Sequence, residues 1–224
     1  MTSEPGTSKA GGRLAPFLAA IYLPALLLLG AVGLASRIWG IPEGDFTRDP
    51  LQVLHQPAYL GLTSYVGILV CCATATMGLF AAAALRNGPG AKTTQRFLLW
   101  AGILTAWVTL DDLFMLHDVV IPQVLHLREQ FVFMLYAVIA VSYARRFKEQ
   151  LFRRDRALIF LTVVFAAISV VMDNGHAIQV IVGHPVVPQS YLVEDGTKLL
   201  AQVSWAGYVG RRSLEALRGP ADGG

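Results

Sequence analysis

Three short runs in this 224-residue sequence put acids and histidines where chemistry is possible. TLDDLFMLHDVVIP carries Asp111, Asp112, His117 and Asp118; VMDNGH carries Asp173, Asn174 and His176; VEDGTKLL carries Glu194, Asp195 and Lys198. Carboxylate together with imidazole is a donor set for Zn, Mn or Fe, whereas carboxylates alone suit Mg or Ca. The same groups serve as general acids and bases. All three runs lie in or beside long apolar segments, where an ionisable residue is costly and function is its first explanation.

Spacing decides which of these groups can meet. In a continuous α-helix Asp111 and Asp118 share a face, with Met115 between them, while Asp112 and His117 point elsewhere. One helix therefore cannot aim all four at one point. Asp173 and His176, three apart, converge, and Lys198 is within reach of Glu194 and Asp195 on its own helix. Six carboxylates (Asp111, Asp112, Asp118, Asp173, Glu194, Asp195) then face one intramembrane lysine, Lys198. They cannot all stay ionised in a low dielectric, so protons, an aqueous vestibule or a bound cation must neutralise them.

We read Asp111, His117, Asp118, Asp173 and His176 as ligands of a divalent metal. Glu194 is the general base, Lys198 orients it or stabilises negative charge, and Asp112 is a further catalytic carboxylate. Beside this stands a structural reading, in which Lys198, Glu194 and Asp173 form an ion-pair network that locks helices together.

The elements that must position these residues are long apolar helices. The sequence is 54% hydrophobic and 15% charged, with a mean hydropathy of +0.53. A soluble domain carries about a quarter charged residues. The expected fold is an all-α polytopic membrane bundle of six transmembrane helices over residues 14–212. The spans fall at about 14–36, 61–85, 97–121, 130–144, 157–181 and 190–210, because roughly 20 helical residues cross the hydrocarbon. The last is interrupted by Glu194, Asp195 and Lys198. Residues 1–13, rich in Ser, Thr, Gly and Pro, are expected to be disordered, and 213–224 to form a tail.

With both termini cytoplasmic, 14 of the 18 lysines and arginines fall on the inner side, the positive-inside pattern of a multi-pass cell-membrane protein. That dispersal also accounts for the pI near 9.0 without nucleic acid as a partner. Cys71 and Cys72 are adjacent in an apolar run and read as small core residues, not as a disulfide or metal pair. The segment 37–60 is a long outer loop, with Asp49-Pro50 as a helix start and LQVLHQ as a short interfacial helix, either a lid or a plain connector.

On this topology the three polar runs all lie in the outer half of the bilayer, and none of the five histidines is cytoplasmic. The first functional expectation is a metal-dependent enzyme acting on a lipid or amphiphile from the outer face. A proton- or cation-coupled transporter or channel is the alternative, with the hydroxyls of Thr105, Thr109 and Thr162 as a path. An accessory protein with a helix-locking network is the third. No HExxH, P-loop or GxSxG motif occurs. Asp111-Asp112 is similar to the opening of the acidic motif of intramembrane prenyltransferases, but Met115 stands where that motif requires an acid. Membrane hydrolases of the alkaline ceramidase type resemble this chain in chemistry, using His, Asp and Ser at a multi-helix zinc site, but not in motif.

Overall fold

A backbone surrounded by hydrocarbon must satisfy its own N–H and C=O groups, and a sequence this apolar answers with helices. A computed structural model describes residues 14–48, 50–85, 91–126, 129–153, 155–173 and 191–218. Among these residues there is no strand. The helices are α1 (Leu14–Trp39), α2 (Glu43–Thr47), α3 (Pro50–Val53), α4 (Leu62–Ala84), α5 (Ala91–Phe114), α6 (Ile121–Leu125), α7 (Glu129–Arg146), α8 (Lys148–Leu151), α9 (Arg156–Asp173) and α10 (Tyr191–Arg218), with a wider π turn at Leu116–Val120. The expected disordered segment 1–13, the Asp49 cap and the end of the fifth span beyond Asp173 lie outside the described residues.

Among the described residues, four helices are long and apolar enough to cross a membrane: Tyr22–Trp39, Leu62–Ala84, Lys92–Phe114 and Arg156–Asp173. The other two expected spans are helical as well, as α7 and α10. Their charges (Glu129, Arg145 and Arg146; Glu194, Asp195 and Lys198) dilute their apolar character. The last helix runs on to Arg218, so residues 213–218 of the segment expected as a tail are helical.

The chain divides into two units, residues 1–60 and 61–224. In the first, α1 ends at Gly40, whose φ of 64° is the left-handed conformation that closes a helix C-terminus. Ser36 Oγ donates to Ile41 O at 2.7 Å and ties that end down. The interfacial helix expected over LQVLHQ is shorter, a single turn at Pro50–Val53.

In the second unit, pairings across helices give their relative directions. Gln95 donates to Ala82 O, while Gly78 sits against Leu98 and Gly102, so α4 and α5 are antiparallel. Phe97 stacks on Tyr143 at 5.8 Å and Trp107 bonds Tyr136, which makes α7 antiparallel to α5. Trp205 donates to Thr105 and Lys198 reaches Asp112, so α10 is antiparallel to α5. Leu158 lies against Gly207 and Arg211 pairs with Asp155, so α10 is antiparallel to α9 too.

Two features fix this packing. Small residues line one face of α4 (Gly67, Cys71, Thr74, Ala75, Gly78, Ala81, Ala82), all buried, and small residues let helix backbones approach. A Cβ on Gly102 would come within 2.9 Å of the Leu79 nitrogen, and one on Gly78 within 3.1 Å of the Leu98 oxygen. At the other end of α5 from Asp111, an aromatic core of Phe97, Tyr143, Phe147, Trp205 and Tyr208 joins α5, α7 and α10. Tyr208 is fully buried and its hydroxyl donates to Gln150 O at 3.0 Å.

Candidate functional site

The site is built on a broken helix. α5 stops at Phe114, and Met115 adopts a left-handed φ of 49°. In the turn that follows, Val120 N–H donates to Met115 O at 3.2 Å and Ile121 N–H to Leu116 O, both five residues back. Pro122 gives this a cause: it has no N–H to offer the Asp118 carbonyl, and its ring opposes that carbonyl in an α-helix.

The break changes the phase of everything after it. His117, expected on another face, folds back onto Asp111. Its backbone N–H donates to Asp111 Oδ1 at 3.0 Å, and its Nδ1 meets Asp111 Oδ2 at 2.5 Å. Asp111 is only 2% exposed, so one buried carboxylate grips one histidine through both main chain and ring. A carboxylate on Nδ1 holds the proton there in the neutral ring and turns Nε2 away as the acceptor or ligand nitrogen.

Asp112 faces α10. Lys198 Nζ donates to its Oδ1 at 2.9 Å, with side-chain exposures of 47% for Lys198 and 11% for Asp112. Gln202, one turn further along α10, offers Nε2 to Oδ2 at 3.5 Å. Gly67 makes room for this carboxamide, since a Cβ there would run into Gln202 Oε1. That oxygen is buried with no hydrogen-bond partner among the described residues.

Ligand atoms of Asp111, Asp112 and His117 lie within 4.8 Å of one another. The structure thus corrects the continuous-helix expectation that Asp112 and His117 point away from Asp111. It also carries Lys198 across to Asp112 on another helix, a pairing that the sequence reading did not name. Of the other expected ligands, the Asp118 side chain and His176 lie outside the described residues. Asp173 is exposed at the end of α9 and Glu194 half-buried in the first turn of α10; neither belongs to the group of three.

Residues not singled out from sequence complete the surroundings. Gln202 is the clearest, and its signal was available: a polar residue in a span, four after Lys198. Trp107 Nε1 donates to Tyr136 Oη at 3.2 Å, and Tyr136 stands beside Asp111. Leu110, Leu113, Phe114 and Met115 are exposed around the break, so the site borders apolar surface.

A family model described as a domain of unknown function (DUF8692) matches residues 19–211. That is most of the chain, which therefore belongs to this family. No curated protein and no solved structure matches it.

Proposed function

For this member of a family without an assigned activity, we propose a multi-pass membrane protein whose Asp111–Asp112–His117 group binds a divalent cation and serves a metal-dependent reaction on a lipid or amphiphile. The observation that carries the reading is the 4.8 Å gathering of two carboxylates and an imidazole at membrane depth, which the break at Met115 creates. Carboxylate together with imidazole suits Zn, Mn or Fe. Such an ion supplies Lewis acidity and activates water near neutral pH.

The protein's own groups have distinct parts. Asp111 positions His117, and Nε2 of His117 and the carboxylate of Asp112 hold the ion. Gln202 Nε2 steadies Asp112 from α10, and Glu194, one turn from Lys198, is the base drawn from the same helix. Lys198, half exposed, moves off Asp112 when a cation arrives. The apolar rim of Leu110, Leu113, Phe114 and Met115 admits a substrate from the lipid side.

The same reading takes six spans with both termini cytoplasmic in the cell membrane. Its support is directional. α5 and α9 are parallel to one another, because both are antiparallel to α10. Two parallel spans need a return crossing between them, and α7, at 18 residues and about 27 Å, has the length and the direction. α10 lies antiparallel to two candidate spans and carries Arg211, Arg212 and Arg218 to the same end as Arg96 and Arg156.

A second reading has its own observation. Each oxygen of Asp111 and Asp112 already has a donor from the protein: His117 N and Nδ1, Lys198 Nζ and Gln202 Nε2. On that reading the group is a lock between α5 and α10. Metal content by mass spectrometry on detergent-purified protein, for wild type, Asp112→Ala and His117→Ala, separates the two. Near-stoichiometric transition metal lost in both variants, with the helices still folded, is the result expected. A wild type that stays metal-free after incubation with Zn and Mn would refute the metal reading and leave the lock.

A further inference from the structure

At the end of the bundle opposite Asp111, a groove of about 450 Å³ is lined by Glu149, Gln150, Phe152, Arg153 and Arg156. Its volume is in the range of sites that take small ligands. We infer that it binds the phosphate headgroup of an anionic phospholipid. The inference rests neither on the metal reading nor on the orientation in the membrane.

The lining is built for an anion. Arg153 and Arg156 set two positive charges against the one carboxylate of Glu149, so the groove carries a net positive charge. Arg156 Nε donates to Phe152 O at 2.6 Å, which fixes the root of its guanidinium and leaves the two terminal NH2 groups as donors. Gln150 is held from behind. Its backbone oxygen accepts from the Tyr208 hydroxyl at 3.0 Å. Its side-chain oxygen accepts from Arg212 Nη2 at 3.2 Å, and the Arg212 side chain is only 7% exposed. With the carboxamide oxygen committed to Arg212, the NH2 is turned the other way, as a third donor.

Position selects a lipid over a soluble anion. Arg156 opens the apolar helix Arg156–Asp173, one of the candidate spans, so the groove stands where that helix leaves the hydrocarbon. That is the level of phospholipid headgroups, where basic pockets at helix ends take anionic lipids. Phe152, 47% exposed, presents an apolar wall beside the donors, suited to the glycerol and first methylenes of a lipid and of no use to inorganic phosphate.

The test is native mass spectrometry of the intact protein in detergent, incubated with equal amounts of phosphatidylglycerol and phosphatidylcholine, and separately with inorganic phosphate in competition. Phosphatidylglycerol is expected to be retained in preference. A basic residue near the surface is worth about 1 kcal/mol of such binding, so Arg153→Gln should weaken retention about fivefold. Glu149→Gln should strengthen it, and Arg37→Gln, far along the chain, should leave it unchanged. Misfolding cannot produce gains and losses of this pattern together. Equal retention of the two lipids, or Arg153→Gln binding like wild type, overturns the inference. Complete displacement by millimolar phosphate overturns the lipid assignment and makes this a soluble-anion site.

Discussion

Asp111→Asn is the most informative single change, because the structure gives it two separable effects. Asp111 accepts from the His117 backbone N–H at 3.0 Å and meets His117 Nδ1 at 2.5 Å, and it is almost wholly buried. The asparagine oxygen can keep the main-chain bond. Its NH2 then faces Nδ1, which must become an acceptor, so the ring proton moves to Nε2. Stability falls by the lost charge assistance on these two bonds, about 0.5–2 kcal/mol each, since bonds to charged groups are worth about 1.5–3 and neutral ones about 1. Asp111→Ala removes both bonds and leaves a buried N–H without a partner, for a cost of about 3 kcal/mol or more. Thermal unfolding in detergent reads the first effect. Nitrogen-15 NMR of histidine-labelled protein reads the second, as a switch from an Nδ1–H to an Nε2–H ring. Should the two variants unfold together, or the tautomer stay the same in Asp111→Asn, the grip of Asp111 on His117 is not what fixes that ring.

Other changes probe the frame around the site. Gly102→Ala drives a Cβ to 2.9 Å from the Leu79 nitrogen, so α4 and α5 must separate; a loss of 2 kcal/mol or more, about the scale of overpacking, is expected in thermal unfolding. Gly33→Ala meets nothing within 4 Å and should be neutral or slightly stabilising, since alanine favours a helix over glycine. Thr105→Val takes away the acceptor of Trp205 Nε1 at 2.9 Å. A cost of about 1 kcal/mol and a shift in tryptophan emission are expected, and unchanged emission would put Trp205 elsewhere. Lys198→Gln removes the ion pair with Asp112 and should raise affinity for a divalent ion because the competing ammonium is gone. A fall in affinity, measured by titration calorimetry, would make Lys198 a partner of the ion instead of its rival.

The helices were legible in the sequence because long apolar blocks leave the backbone little choice in lipid: α4 stands close to where hydropathy places it, while α5 starts and ends about two turns before the expected 97–121. What was not legible was the phase within the third span. Extrapolating about 100° per residue through Met115 sends His117 away from Asp111. Nothing local to Met115 marks it as a break, since methionine is an ordinary helix former with no preference for a positive φ. The clue lies seven residues on, in Pro122, which disqualifies the α-helical bond to Asp118 and pushes the wider turn upstream. Partners across helices were hidden for a different reason. That Lys198 reaches Asp112 on another helix depends on the α5–α10 register, which is set by buried contacts such as Thr105 with Trp205 and Phe97 with Tyr208 and leaves no mark in the local sequence.

The same contacts decide how far the polar group can act. A transporter needs its ionisable groups continued by a wet or proton-conducting path toward the other face. The hydroxyls expected to supply one are turned inward on their own helices: Thr105 donates to Ala101 O at 2.7 Å, Thr109 to Thr105 O at 2.7 Å and Thr162 to Leu158 O at 2.8 Å. A hydroxyl spent on its own carbonyl offers its neighbour only a lone pair, and that of Thr105 is taken by Trp205 Nε1. Below this point the α5–α10 seam is closed by Phe97, Leu98, Tyr208 and Val209, each fully buried. From Asp112 to Phe97 is fifteen residues of helix, about 22 Å, and at its far end the seam is closed by these buried side chains. Along this seam a polar group open to one side and sealed on the other has the form of a site. That form is what the proposed site at one face requires, and a route between the two faces would have to run elsewhere in the protein.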